Sequence, residues 1–353
     1  MVSTRFILVL LALTLLTWFL LFRRKTGRGS SAKGKRRGNW LLGIAASVLT
    51  LTLIADGFNS YYSYLPNVSD VVDAVASNPP AKLTPAVNQV HGSVWPNGKT
   101  FRLPMQDNGS GFGKSEAWVW LPPQYFQLPA KPLPVVYLFH GSPGMPKDWF
   151  HGGAAGRTAQ ALAEQNLPVI VVAPEMSKDW LDDSECVDGR REAVESHLLR
   201  DVIPTIDDQL RTIPRRSGRI FAGMSAGGFC ALNLGLRNRD LAATILDLSG
   251  LTRPTHAGGM TELFGKDRLA EVPKNTPSVY AESLKGGPPM RIWLDAGTSD
   301  KQVLHEMNDI APVLRRDGMQ VEQHTRPGDH TYSVWRPALK DSLSWALAGL
   351  PRT

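Results

Sequence analysis

Residues 219–227 read RIFAGMSAG, and this stretch decides the fold that we expect. Residues 219–222 have the apolar character of a buried strand, and GMSAG follows at 223–227. Glycines on both sides of a serine permit a tight turn from a strand into a helix. Such a turn presents the hydroxyl at a helix N-terminus, which favours developing negative charge. The pattern predicts Ser225 as a nucleophile; the alternative is a small-residue turn under a packed helix.

Short β-branched runs alternate with helical patterns on both sides of this turn. Strands that alternate with helices form a mainly parallel sheet covered on both faces, and the early strands, which lack intervening helices, predict an antiparallel edge. This mixed order is typical of the α/β-hydrolase fold. The predicted strands span 117–121, 133–139, 169–173, 219–222, 244–248, 290–294 and 321–325, and the predicted helices span 156–165, 191–211, 227–238 and 303–317.

A serine hydroxyl is a weak nucleophile and needs a base that takes its proton. In this fold the chain order is serine, acid, histidine, and four histidines satisfy it: His256, His305, His324 and His330. His330 stands in a turn directly after the last predicted strand, whereas His324 lies within that strand and His305 within a helix. We therefore predict His330 as the base, with a solvated loop histidine as the alternative.

Two carboxylates follow the strand predicted at 290–294. Asp300 lies in the loop beyond the strand, from which it can reach a histidine in the next loop, and Asp295 lies closer to the strand. A carboxylate in that position fixes the tautomer of the base and stabilises its imidazolium form. We expect Asp300 to be the acid and Asp295 to be its rival. A structural role for Asp300, as the cap of the next helix, is the other alternative.

Acyl transfer also requires hydrogen-bond donors for an oxyanion. One donor should be the backbone N–H of Ala226, directly after the nucleophile, and the other should lie in the loop HGSPG at 140–144. Pro143 has no N–H, so we predict Ser142 as the second donor. The alternative is a Gly/Pro turn without a catalytic duty.

Two apolar runs, at about 6–22 and 40–56, each approach the length of a membrane-spanning helix. Residues 1–37 carry nine Lys or Arg and no acid, and most of these cations lie in the loop at 23–39. Basic loops stay in the cytoplasm, so the sequence predicts a multi-pass cell-membrane protein whose later part lies outside the cytoplasm. A cleaved signal peptide at 1–22 followed by one span, or buried soluble helices, are the alternatives.

The remainder of the chain, with 30 cations against 32 acids, has a net charge near −2. It therefore has no basic excess that would bind nucleic acid. We read 61–89 as a linker and 90–353 as one catalytic domain. The sequence holds no CxxC, HExxH or glycine-rich nucleotide motif, so we expect neither a metal nor an organic cofactor.

The chain has two cysteines, Cys186 and Cys230. An even number of cysteines outside the cytoplasm permits a disulfide, which here would join an acidic loop to the helix after Ser225. Two separate buried thiols are the alternative.

Six blocks of residues from about 90 to the end resemble the esterase D family, which includes S-formylglutathione hydrolases and actinobacterial mycolyltransferases. Residues 1–60, which contain the two predicted spans and form the expected membrane anchor, are similar to the anchors of actinobacterial membrane-bound esterases. The blocks are LPPQYF at 121–126, YLFHGSPG at 137–144, GMSAGGFCALNLGL at 223–236, LDLSG at 246–250, GTSD at 297–300 and GDHTYSVWRPAL at 328–339.

The resemblance implies the same nucleophile, acid, base and oxyanion donors, and no cofactor. The chain departs from both named branches of the family. Mycolyltransferases use Glu as the acid where this chain has Asp300, and they carry no anchor. S-formylglutathione hydrolases are cytosolic, which disagrees with the predicted topology.

We therefore expect a serine esterase acting on an ester at the membrane, such as an aminoacylated phospholipid or a glycolipid. The alternatives are an acyltransferase, which uses the same machinery, and a catalytically silent surface binding module. Four aromatic residues lie in or near the expected active-site loops: Phe126, Trp149, Phe150 and Trp180. They could line an apolar groove for an acyl chain, or they could pack a cap over the domain.

Overall fold

The structure, a computed structural model, describes residues 4–26, 32–67, 70–72, 78–92, 94–284 and 286–350. The chain divides into two compact units, Met1–Ser77 and Asn78–Thr353. Some predicted segments, including parts of the basic loop and of the linker, lie outside the described residues.

In the part of the first unit that the structure describes, the long helices are α1 (Thr4–Thr26) and α2 (Ala32–Tyr62). The indole N–H of Trp18 in α1 donates to the Thr50 hydroxyl of α2 at 3.0 Å. The Thr14 hydroxyl donates to the carbonyl of Leu10, one turn earlier, which satisfies a polar group without water.

Among the described residues, one helical segment, Asn39–Tyr62, is long and apolar enough to cross a membrane; it has 24 residues and a mean hydropathy of 1.9. The apolar part of α1, Leu8–Arg23, is shorter. Helices therefore lie at both predicted spans, but length and composition support only the second as a membrane span.

The second unit is built around one eight-stranded sheet of order β1-β2-β4-β3-β5-β6-β7-β8. β1 pairs antiparallel with β2, which pairs antiparallel with β4, and the remaining pairs are parallel. The α/β-hydrolase fold and its antiparallel edge were predicted, and this fold is confirmed. The strands are β1 (Lys99–Pro104), β2 (Glu116–Leu121), β3 (Val135–Phe139), β4 (Ile170–Pro174), β5 (Arg219–Met224), β6 (Thr244–Leu248), β7 (Arg291–Gly297) and β8 (Gln320–Arg326).

Helices flank the sheet, and the central strands are buried along their whole length. Burial on both faces explains why these strands are continuously apolar in sequence. The α-helices of this unit are α3 (Lys147–Phe150), α4 (Ala155–Glu164), α5 (Val194–Ser196), α6 (Ile203–Gln209), α7 (Ala226–Arg237), α8 (Gly259–Phe264), α9 (Pro277–Tyr280), α10 (Lys301–Arg316) and α11 (Tyr332–Ala348). Shorter 3-10 turns occupy Pro85–Gln89, Pro123–Phe126, Arg216–Gly218, Lys266–Glu271, Pro273–Asn275 and Ala281–Ser283.

The helix predicted at 191–211 is divided into three pieces. A π-helical turn, His197–Val202, joins α5 to α6, and Pro204 stands in the first turn of α6. Proline has no N–H and its ring clashes with the carbonyl of the preceding turn, so an uninterrupted α-helix is disfavoured here. The sequence-based prediction missed β1 and α11 altogether.

Candidate active site

The nucleophile turn stands at the carboxyl end of β5. Ser225 has φ 58° and ψ −125°, a conformation that a residue other than glycine rarely adopts, and α7 begins at the next residue. A Cβ on Gly223 would lie 1.8 Å from the carbonyl oxygen of Gly227, and a Cβ on Gly227 would lie 2.0 Å from that of Phe139. Both positions therefore require glycine, and together they hold the Ser225 hydroxyl at the head of the helix.

The structure brings together the predicted nucleophile, base and acid, Ser225, His330 and Asp300. The Nε2 atom of His330 lies 2.7 Å from Oγ of Ser225, and its Nδ1 atom lies 2.6 Å from Oδ2 of Asp300. With the proton on Nδ1, the imidazole donates to Asp300 and accepts from the serine hydroxyl. His330 follows β8, and Asp300 follows β7, so adjacent parallel strands place both loops at one edge of the sheet.

Asp295, the rival acid, has a different set of partners. Its carboxylate accepts hydrogen bonds from the guanidinium of Arg326 at 2.9 Å and from the indole of Trp293 at 3.2 Å. Burial raises the pKa of this carboxyl, although the Arg326 charge opposes the shift. Asp295 thus belongs to an ion pair inside the sheet, and only Asp300 contacts the histidine.

The two residues predicted as oxyanion donors, Ala226 and Ser142, line the same cleft as the nucleophile. Ala226 is the first residue of α7, where backbone amides have no acceptor within the helix. Ser142 lines the same cleft as Ser225, and a Cβ on the neighbouring Gly141 would lie 3.3 Å from Cβ of Ser225. A substrate carbonyl at Ser225 would therefore meet backbone from both elements.

Two hydrogen bonds fix the loop that carries Ser142. Nδ1 of His140 lies 2.8 Å from the carbonyl oxygen of Gly141, so this ring nitrogen carries the proton and donates. Burial lowers the pKa of His140, which keeps the ring neutral. The amide of Gly144 donates to the carbonyl of Trp180 at 3.2 Å, which joins this loop to the one after β4.

A disulfide bond joins Cys186 to Cys230, which are 44 positions apart in sequence and have their Cα atoms 5.3 Å apart. Cys230 lies in α7, behind the nucleophile, and Cys186 lies in the loop after β4. The bond therefore ties that loop to the helix on which the site depends.

A cleft of about 260 Å³ opens beside Ser225. One wall contains polar residues that sequence reasoning did not single out, among them Asp183, Glu185, Ser249 and Arg253. Ser249 belongs to the block LDLSG at 246–250, which indicated no role for it, whereas Asp183, Glu185 and Arg253 lie outside the six blocks. The loops that carry these residues meet only in the folded chain. Among the described residues, no cluster of three His, Cys, Asp or Glu side chains could hold a metal ion.

The four aromatic residues flagged as a groove or a cap do not act as one group. Phe126 and Trp149 are fully buried, so the packing alternative holds for these two. Trp180 is 51% exposed, and the adjacent Leu181 is also exposed. The exposed pair borders Asp182, whose carbonyl oxygen lies 3.5 Å from the Ser142 hydroxyl.

This fold, with a serine at a strand–helix turn and a histidine and a carboxylate in hydrogen-bonding line with it, defines the class of α/β serine hydrolases. The chain belongs to the Esterase family, because the family model described as "Putative esterase" matches residues 113–346. The matched region is a carboxylic ester hydrolase domain.

Two curated relatives are similar to this chain. An uncharacterized protein of Corynebacterium glutamicum is 28% identical over 248 residues, which is 68% of this chain and 58% of that protein. An acetyl esterase of Caldicellulosiruptor saccharolyticus is 26% identical over 238 residues, covering 60% of this chain and 83% of the relative. The chain thus spans little more than half of the corynebacterial relative.

Among solved structures, an S-formylglutathione hydrolase of Agrobacterium tumefaciens superposes with a TM-score of 0.58 at 19% identity. The match covers 73% of this chain and 98% of that protein. At this level of identity the similarity shows a shared fold.

Proposed function

We propose that this protein is a membrane-anchored serine esterase in which Ser225, His330 and Asp300 form and hydrolyse an acyl-enzyme. The observation that carries the proposal is the line of contacts from Oγ of Ser225 through His330 to Asp300, at 2.7 and 2.6 Å. Hydrogen-bonding distance between nucleophile, base and orienting acid is what this chemistry requires.

In the first half of the reaction, Nε2 of His330 accepts the proton as Oγ of Ser225 attacks the ester carbonyl. The backbone amides of Ala226 and Ser142 stabilise the oxyanion of the tetrahedral intermediate. Its collapse breaks the bond to the alcohol, which leaves with the proton from His330. Asp300 keeps its negative charge and stabilises the imidazolium throughout.

In the second half, His330 removes a proton from a water molecule that attacks the acyl-enzyme. The second tetrahedral intermediate releases the carboxylic acid, and Ser225 recovers its proton. The site is thereby restored without a change in any cofactor.

The substrate, we propose, is an ester of a cell-envelope lipid, such as an aminoacylated phospholipid or a glycolipid. The apolar helix Asn39–Tyr62 supports this, because an anchor raises the enzyme's local concentration at one surface only. The exposed Trp180 and Leu181 support it as well, since they adjoin Asp182, which contacts the cleft residue Ser142, and exposed apolar side chains suit an acyl chain.

A comparison of lipids tests this substrate class. In the organism that carries the gene, deletion should cause a lipid ester to accumulate in total extracts, and the native gene but not Ser225→Ala should reverse the change. The purified full chain should hydrolyse the same lipid in mixed micelles. A preference of the purified protein for soluble short-chain esters over every envelope lipid would contradict the proposal.

The topology is a separate proposal: two spans, a cytoplasmic basic loop and a catalytic domain outside the cytoplasm. The charge asymmetry of residues 1–37 supports it. A reporter that works only outside the cytoplasm should be active when fused after residue 70 and silent within 23–37. A reporter at the N-terminus distinguishes the two topologies. Two spans place the N-terminus outside the cytoplasm, whereas a single span leaves it inside.

A further inference from the structure

Two carboxylates form part of the wall of the cleft beside Ser225. Glu185 is only 3% exposed, and its Oε1 atom accepts the backbone N–H of Thr255 at 2.6 Å and the hydroxyl of the same residue at 3.0 Å. Asp183 lines the same cleft, and its Oδ1 atom is buried without a hydrogen-bond partner among the described residues. The wall therefore presents an acceptor that the protein itself does not satisfy.

Burial favours the protonated, neutral form of these carboxyls, so a bound cation would stabilise their charged form. Burial, with the neighbouring Asp183 charge adding to it, raises the pKa of Glu185 to about 7, because two like charges in one wall disfavour each other. Among the described residues, neither forms an ion pair with a basic side chain. Arg253 also lines the cleft, but its guanidinium pairs with Glu306 at 3.2 Å.

A second buried acceptor faces the same cleft independently of these acids. Ser249 follows β6, is 2% exposed, and its hydroxyl has no hydrogen-bond partner in the part of the chain that the structure describes. A buried polar atom without a partner lowers stability, and a ligand with hydrogen-bond donors removes that cost when it binds. An ionised carboxylate only accepts, so a group that satisfies Asp183 must donate hydrogen bonds, and the Ser249 hydroxyl can accept one as well as donate one.

We propose that Asp183 and Glu185 form a subsite for a primary ammonium group carried by the ester substrate, with the Ser249 hydroxyl as a further acceptor in the cleft. An ammonium group supplies three N–H donors and one positive charge, so it satisfies the open acceptor of Asp183 and relieves the repulsion from Glu185. A quaternary ammonium has no N–H and satisfies the charge alone. The inference rests on ester hydrolysis at Ser225 and narrows its substrate class.

The ammonium group can lie on the acyl side or on the alcohol side of the ester, and matched substrates distinguish the two. For the acyl side, the 4-nitrophenyl ester of alanine is compared with that of propionate. For the alcohol side, 2-aminoethyl acetate is compared with propyl acetate, and acetylcholine tests the quaternary group. The full chain in detergent is assayed at a pH where the amines are protonated.

On at least one side, we expect kcat/KM to be about tenfold or more higher for the amine than for its neutral partner. Asp183→Asn and Glu185→Gln should each lower that ratio by about tenfold, because each removes one negative charge from the wall. The increase in kcat/KM over the neutral ester should be smaller for acetylcholine than for the primary amine. Where one variant fails to fold, the other still decides the result.

Asp182→Asn is the matched control, because this neighbouring carboxylate pairs with Arg191 and does not line the cleft beside Ser225. It should leave the ratio unchanged. Hydrolysis of the neutral esters without any preference for an amine would overturn the ammonium subsite and leave the esterase standing. An absence of turnover with every ester would overturn both proposals.

Discussion

Within the described part of the chain, two Ser–His–Asp sets have similar hydrogen bonds but different surroundings. In the first, His330 joins Ser225 to Asp300 at 2.7 and 2.6 Å. In the second, Nε2 of His197 lies 3.1 Å from Oγ of Ser115, and its Nδ1 lies 2.8 Å from Oδ2 of Asp201. Distances alone do not separate a catalytic set from a structural one.

Access and surroundings do separate them. The side chain of His330 is 38% exposed and lines the cleft, whereas His197 is completely buried and stacks on the ring of Phe112 at 4.1 Å. Ser115 directly precedes β2 and heads no helix. Burial lowers the pKa of His197, although Asp201 opposes the shift, so this histidine stays neutral.

The second set instead holds a loop in place. The carboxylate of Asp201 accepts the Ser110 hydroxyl and, at 2.8 Å, the amide of Asn108, and these contacts fasten the segment between β1 and β2 to the π-helical turn. The comparison teaches that a nucleophile needs a path to substrate and donors for the oxyanion, besides a base.

The largest expected effect separates the two serines. Ser225→Ala should lower kcat/KM by about 10³-fold or more, because triad members act as a unit, and His330→Ala and Asp300→Asn should have losses of the same order. Ester turnover and labelling by a fluorophosphonate measure the effect. Ser115→Ala is the matched control, and activity that depended on Ser115 would reverse the assignment.

A second test concerns the disulfide that supports only the first set. Cys186→Ser with Cys230→Ser should lower the free energy of unfolding by about 3–4 kcal/mol, as the chain-entropy model gives for a loop of this length. Thermal unfolding of the detergent-solubilised protein, with and without reductant, measures it. Two free thiols in the unreduced, denatured protein would contradict the bond.

A third test concerns Asp247, a buried acid whose pKa shifts in the direction opposite to that of Asp201 in the second set. Burial raises the pKa of Asp201, but the hydrogen bonds from His197 and Ser110 outweigh it and lower the pKa overall. Asp247, at the end of β6 and beside the nucleophile turn, has its pKa raised to about 7 by burial, with the charges of Asp295 and Glu306 adding to the shift.

The folded protein therefore keeps the Asp247 proton up to about pH 7, whereas the unfolded chain loses it near pH 4. The folded state binds more protons in this window, so this group's contribution to stability falls as the pH rises, on the order of 4 kcal/mol in total. Asp247→Asn keeps an acceptor for the Gly250 amide and should flatten the dependence measured by thermal unfolding across pH 4 to 8. An unchanged slope would show that Asp247 ionises normally.

The smallest effect distinguishes the two histidines. His197→Ala should lower the free energy of unfolding by about 2 kcal/mol, because it leaves a cavity and removes a partner of Asp201. His330→Ala, at an exposed turn, should change stability little while it abolishes turnover. Equal destabilisation by the two substitutions would remove the distinction between a structural and a catalytic set.

Much of the first set could be predicted from sequence because it depends on local rules. The glycines around Ser225 mark the turn, and the order of strands places Asp300 and His330 after neighbouring strands. The choice between Asp295 and Asp300 was harder, since both follow one strand. Arg326, on the adjacent β8, pairs with Asp295, and no local sequence pattern predicts this ion pair.

The second set shows why the rest could not be predicted. Ser115 and His197 are 82 residues apart, and nothing near either of them resembles a catalytic motif. The same holds for Glu185 and Thr255, whose contact spans 70 residues. Strand β1 was missed because it lies at the edge of the sheet and is half polar, so it lacks the continuous apolar run of the central strands.

The sequence by itself determined the α/β order, the nucleophile turn, the strand order that carries acid and base, and an apolar segment fit for a membrane. These follow from backbone geometry and hydrophobic period, which act over a few residues. Only the tertiary structure decided that Trp149 packs in the core, that Asp295 pairs with Arg326, and that two acids and a serine meet in one cleft. Long-range packing sets those outcomes, because burial and charge depend on which loops come together in space.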